Sequence, residues 1–124
     1  MKFQPEKSST SLITAVDASG IQIGLERIEK NLVLGSRGER FEWDAKRFEE
    51  LTSEHFAVLG DTKPELIIFG SGTKIKFPHP KLIATLMNQR IGVETMDTPA
   101  ACRTYNILAA EGRHVVGAFL IETV

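Results

Sequence analysis

From Pro64 onward, short apolar runs alternate with helical patterns in the order strand, helix, strand, helix, strand. Crossovers of that kind join parallel strands, so this stretch predicts an α/β arrangement with some parallel pairing. Residues 66–69 form a continuous apolar run ending in Gly70-Ser71-Gly72, the pattern of a strand buried on both faces and followed by a tight loop. Pro80 stands at a first helical position, and Leu82, Ile83, Leu86, Met87 and Ile91 then share one helical stripe until Gly92 stops it. Residues 93–96 read as a short strand. Thr98 and Pro99 supply an N-cap and an N1 proline for a helix running to about Glu111, with Gly112 as its C-cap. Ala100, Ala101, Ala109 and Ala110 allow that helix to approach a sheet closely, and a buried strand over 114–122 follows.

Ahead of this unit the pattern is β. Residues 12–17 and 21–25 are rich in β-branched side chains and flank Ala18-Ser19-Gly20, which predicts a hairpin. Residues 32–34 and 41–43 flank Gly35-Ser36-Arg37-Gly38, which predicts a second hairpin with a longer loop. Over 44–59, Phe48, Leu51, Phe56 and Leu59 recur at imperfect helical spacing with Ser53 as an internal N-cap, so broken or short helix is expected.

With 124 residues, 42% hydrophobic and 25% charged, the chain can bury one core, and a single domain over 1–124 is expected, its first eleven residues a flexible segment. Cys102 is the only cysteine, which excludes an internal disulfide and fits a reducing cytoplasm. The opening residues show neither an apolar signal region nor an Arg-rich presequence pattern. The longest apolar stretch, 115–121, falls far short of the roughly 20 residues of a membrane span. A cytoplasmic protein with no direct membrane insertion is the expectation.

Lys plus Arg is 15 and Asp plus Glu is 16, a net charge of -1 that argues against a nucleic-acid partner. The balance averages unlike halves, since residues 1–62 carry 8 basic and 11 acidic side chains and residues 63–124 carry 7 and 5. No acidic residue occurs between Glu65 and Glu94, where Lys74, Lys76, Lys81 and Arg90 lie. Such a segment is either a site for an anion or an acidic partner, or a solvated face protected by lysines. Gly70, Ser71, Gly72, Thr73 and Lys74 offer backbone N–H groups, two hydroxyls and an ammonium, an anion-binding nest or simply a turn that needs glycine torsions. The spacing matches neither a phosphate loop nor a dinucleotide fingerprint.

Met96, Thr98, Tyr105 and Asn106 are candidate cleft residues opposite that loop, and together they would receive a small anionic ligand. Cys102, Glu111 and Arg113 are structural or cleft candidates; a buried inert thiol is the expectation for Cys102, and Glu111 is a partner for backbone amides and Arg113. His55, His79 and His114 are scattered in sequence and show no metal-ligand spacing. The sequence therefore assigns no catalytic set, no metal site and no cofactor.

The order of Leu66-Ile67-Ile68-Phe69-Gly70-Ser71-Gly72, Gly92-Val93-Glu94-Thr95-Met96-Asp97-Thr98, Ala101-Cys102-Arg103-Thr104-Tyr105-Asn106-Ile107-Leu108 and Glu111-Gly112-Arg113-His114-Val115 resembles the small Mth-domain family, across about 12–121. That family includes mitochondrial complex I assembly factor three and the adipogenesis-associated Mth-domain-containing protein. The resemblance implies a three-layer α/β fold, with a central mixed β-sheet flanked by helices and additional N-terminal antiparallel strands. It also implies a non-enzymatic factor with a protein partner, and it brings no catalytic residues. A small-anion binding protein or enzyme using the glycine loop is the alternative, and nucleic-acid binding ranks last because Phe77 alone interrupts the basic segment with an aromatic ring.

Overall fold

The computed structural model describes residues 12–121, so the expected flexible segment 1–11 and Glu122 lie outside the described residues, and the last strand, expected over 114–122, spans Val115–Phe119. The α/β architecture is as the sequence implies. Strands β1 (Ala15–Asp17), β2 (Gly20–Ile23) and β3 (Glu26–Ile28) form an antiparallel three-stranded sheet. Strands β4 (Leu32–Gly35), β5 (Arg40–Glu42), β6 (Leu66–Gly70), β7 (Gly92–Met96) and β8 (Val115–Phe119) form a mixed sheet in the order β5-β4-β8-β6-β7. Both expected hairpins are present, with Val16 opposite Ile21 and Val33 opposite Phe41. The strand β3 was not expected; it returns from β2 through Gly24-Leu25, and its sequence Glu-Arg-Ile is too polar and short to announce itself.

β6 lies parallel to both β7 and β8. The crossover from β6 to β7 and the one from β7 to β8 run in opposite directions along the sheet. The right-handed rule then sends their helices to opposite faces. One face carries α1 (Ser53–Ala57) and α2 (Ala84–Asn88), where Phe56 and Leu86 pack with Trp43, Ile67, Phe69, Val116 and Ala118. The other carries α3 (Thr98–Ala110) and the small sheet, where Ala101, Cys102 and Tyr105 pack with Ile21, Leu34, Ile68, Val115 and Phe119. Alternate residues of β4, β6 and β8 thus feed two cores, which is why these strands are apolar throughout.

Three helix boundaries differ from expectation for local reasons. The region 44–59 is indeed broken, into a 3-10 turn at Phe48–Glu50, α1, and a second 3-10 turn at Val58–Gly60. Its N-cap, however, is Thr52 and not Ser53, because the His55 ring accepts from the Thr52 N–H at 2.9 Å and completes a reciprocal cap. The long helix expected after Pro80 is a 3-10 turn, Pro80–Ile83, followed by the short α2, which ends at Asn88 before a turn at Arg90, whose φ is 62°; Gly92 already belongs to β7. The N-cap of α3 is Asp97, whose carboxylate accepts from the Ala100 N–H at 2.9 Å, so Thr98 is left for a different task.

Candidate functional site

The carboxyl ends of β6, β7 and β8 meet at one edge of the sheet, where chain crossovers diverge and α/β folds commonly bind ligands. Gly70 ends β6 there because a Cβ would lie 2.9 Å from Thr98 Oγ1 and 3.2 Å from the Ala101 methyl carbon. The absence of a side chain lets α3 begin directly against the strand. Thr98 then donates its hydroxyl to the Leu120 carbonyl at 2.7 Å and accepts from the Gly72 N–H at 2.9 Å, while its own N–H donates to the Gly72 carbonyl at 2.8 Å. The Ser71 N–H donates to Met96 O, and the Leu120 N–H to Gly70 O, both at 2.9 Å. The N–H groups of Ser71 and Gly72, for which the sequence offered either an anion nest or a plain glycine turn, are thus spent on joining the three strand ends.

Gly72 takes a φ of 108°, which a side chain would strain, and turns the chain into a pinned loop. The buried Ser71 hydroxyl donates to the Lys74 carbonyl at 2.7 Å and accepts from the Lys76 N–H at 2.9 Å. Lys74 is exposed on that loop, and Lys76 turns toward the segment 46–49. Between them and the strand ends lies an open cleft of about 340 Å³, lined by Lys46, Arg47, Phe48, Glu49, Ser71, Gly72, Lys76, Leu120 and Ile121.

The cleft is cationic with an aromatic floor. Phe48 stacks on buried Phe69 at 6.2 Å between centroids, and Lys76 Nζ sits 5.6 Å from the Phe48 centroid. Glu49 meets Lys76 at 3.4 Å and Arg47 at 3.7 Å. A backbone hydrogen bond to its own N–H, then the charges of Lys76 and Arg47, hold its carboxyl below the ordinary range. Three cations therefore face one carboxylate. Asn31 holds the wall in place: its buried side-chain amide donates to the carbonyls of Ala45 and Lys46 and accepts from the Ile121 N–H at 2.6 Å.

Of the sequence candidates, Ser71 and Gly72 line this cleft, whereas Thr98 lies behind it against a second hollow of about 20 Å³ shared with Gly72, Thr73 and Pro99. Met96 packs partly buried on the α3 side of the sheet. Tyr105 is fully buried there against Phe119, 6.0 Å between ring centroids. Asn106 brackets Ile13, accepting from its N–H at 2.9 Å and donating to its carbonyl at 2.6 Å, so it pins the N-terminal sheet to α3. Cys102 is buried, and burial pushes its thiol up to about 12. Glu111 is the exposed C-cap of α3, and Arg113 pairs with Glu65 at 3.2 Å instead of with Glu111.

The sequence reading missed Lys46, Arg47, Phe48, Glu49 and Asn31. Their signal was the adjacent basic pair, masked by an acidic half of the chain. Among the described residues, no group of three or more His, Cys, Asp or Glu side chains is arranged to hold a metal ion. Nor is any described helix long and apolar enough to cross a membrane.

The family described as "protein of unknown function (DUF498/DUF598)" matches residues 13–120. The chain belongs to that family. This DUF498/DUF598 protein is similar to the NADH dehydrogenase [ubiquinone] 1 alpha subcomplex assembly factor 3 of mouse, 37% identical over 82 residues, and of human, 32% identical over 121 residues. The match takes in 64% of this chain and 44% of the mouse protein, and 96% of this chain and 65% of the human one, so the chain spans about half to two thirds of those relatives. Its fold superposes on the crystal structure of a Bordetella parapertussis protein with a TM-score of 0.86 and 32% identity, covering 92% of this chain and 98% of that one. It also matches the solution structure of a Bordetella pertussis Mth938-like domain, with a TM-score of 0.79 and 27% identity over 98% and 91% of the two chains.

Proposed function

We propose that this DUF498/DUF598 protein is a non-enzymatic, cytoplasmic protein-binding factor that serves the assembly of a respiratory or other membrane-bound complex. The observation that carries the reading is its 32% identity to a complex I assembly factor along 96% of its own length. The site agrees with it in kind, because the hydroxyls of Ser71 and Thr98 and the amide of Asn106 are committed to fold-holding hydrogen bonds. What the molecule offers outward is a cationic edge with an aromatic floor. The test is affinity capture from the native cell with respiratory subunits scored: their reproducible enrichment supports the reading, and their absence under crosslinking overturns it.

A second reading has a specific observation behind it, the convergence of Lys46, Arg47 and Lys76 on a cleft large enough for a small anion. It moves the ligand site expected around Lys74, Thr98, Tyr105 and Asn106 to the opposite wall of the glycine loop. In a thermal-shift screen of phosphates and carboxylates, a true ligand raises the midpoint of the native chain and not that of a Lys46→Ala, Arg47→Ala, Lys76→Ala variant. An equal response from both chains leaves the cleft without a ligand.

A further inference from the structure

The loop that follows Ser71 exposes two large apolar side chains, Ile75 at 51% and Phe77 at 71%. Singly exposed hydrophobics are ordinary, and Leu25, Met87 and Ile107 are examples elsewhere on this surface. This pair differs in three respects. Its members are two residues apart on one loop. That loop is held, since Ser71 Oγ ties the carbonyl of Lys74 to the N–H of Lys76 on either side of Ile75, and Pro78 and Pro80 restrict the chain just beyond Phe77. Exposure is therefore built in and is not fraying, and the ordering cost of presenting both side chains is met within the fold.

The third respect is charge. Lys74 and Lys76 alternate with the apolar pair, Lys81 follows, and no carboxylate occurs anywhere in 66–93. Glu49, the acid that Lys76 meets, is also engaged by Arg47, and Lys46 stands beside Arg47 on the cleft wall. A protruding apolar tip rimmed by cations of one sign fits a soft, uniformly anionic surface; a protein partner would have to supply a matching pocket ringed by acids. Lysine stems beside an inserted tip can keep their ammonium groups at headgroup level. We infer that residues 73–81 dock this protein on an anionic phospholipid bilayer, with Ile75 and Phe77 entering the interface and Lys74, Lys76 and Lys81 meeting the headgroups. This attachment goes beyond the assembly role and does not depend on it.

The experiment is co-sedimentation of the full chain with vesicles of phosphatidylcholine, with and without phosphatidylglycerol. The chain is expected to bind the mixed vesicles at low salt, to release as salt is raised, and to ignore phosphatidylcholine alone. Ile75→Ala with Phe77→Ala should weaken binding by about tenfold or more, and Lys74→Glu with Lys81→Glu should abolish it; unchanged melting curves verify that both variants fold. In Phe77→Trp, emission should shift to the blue on vesicle addition, against a constant background from buried Trp43. No binding to anionic vesicles, or binding that the loop variants leave intact, overturns the inference. Capture of a protein through Ile75 and Phe77 with no affinity for vesicles overturns it as well, without touching the assembly reading.

Discussion

Away from the cleft, Glu39 and His114 form a pair with little exposure to solvent. Glu39 Oε2 and His114 Nε2 meet at 2.6 Å with side chains 12% and 6% exposed, and they join the β4–β5 hairpin to the entry of β8. Burial alone would raise the Glu39 carboxyl, but hydrogen bonds from His114, Thr62 and neighbouring backbone N–H groups outweigh it and hold it below its ordinary value near 4.5. A carboxyl depressed in the folded state contributes stability that is present above the unfolded value and lost as pH falls through the folded one. Melting midpoints of the native chain and of Glu39→Gln should therefore differ most near neutrality and converge in acid below the usual carboxylate range; a constant difference would refute the assignment. Tyr105 makes the opposite case. Its hydroxyl is buried with no hydrogen-bond partner among the described residues. Tyr105→Phe is expected to leave stability unchanged or raise it by about 1 kcal/mol, since it removes an unsatisfied buried group. A clear loss in a denaturant midpoint would mean that the hydroxyl has a role. From sequence, Tyr105 looked like a cleft residue because a polar tip beside small residues reads the same whether it faces a ligand or a core.

At the scale of elements, strands were legible and their trimming was not. Residues 66–69 and 115–119 announce buried strands because both faces of the sheet are covered, so no position is polar. The stripe after Pro80 misled because Leu82, Ile83, Leu86 and Ile91 do reach the core, but through a 3-10 turn, a short helix and a turn at Arg90. Hydrophobic spacing records which side chains are buried and not which helical pitch brings them there. The wall formed by 43–47 is a tertiary construction of the same kind, tied to the end of β8 by one amide. Asn31→Ala should cost about 2–3 kcal/mol in chemical unfolding, since it strands buried groups on two separate segments. It should also speed amide exchange at Ile121 more than at Ile68, and uniform acceleration would argue against a local clamp.

For the whole molecule, the charge arithmetic along the chain located only part of the cationic edge. Lys76 belongs to the basic segment noticed in the sequence, yet Lys46 and Arg47 belong to the half whose net charge is -3, and only the meeting of strand ends unites them. Sequence arithmetic sums over neighbours in the chain, whereas a cleft sums over neighbours in space. The same sheet order carries a consequence for biosynthesis. β8 follows every other described strand but lies in the middle of the mixed sheet, antiparallel to β4 and parallel to β6. A chain growing on the ribosome thus carries two half-sheets, β4–β5 and β6–β7, each with an unpaired edge, until the strand that welds them emerges. Long-range pairing of this kind is slow and leaves edges open to other chains, so a nascent copy is most vulnerable to aggregation just before residues 115–119 leave the exit tunnel.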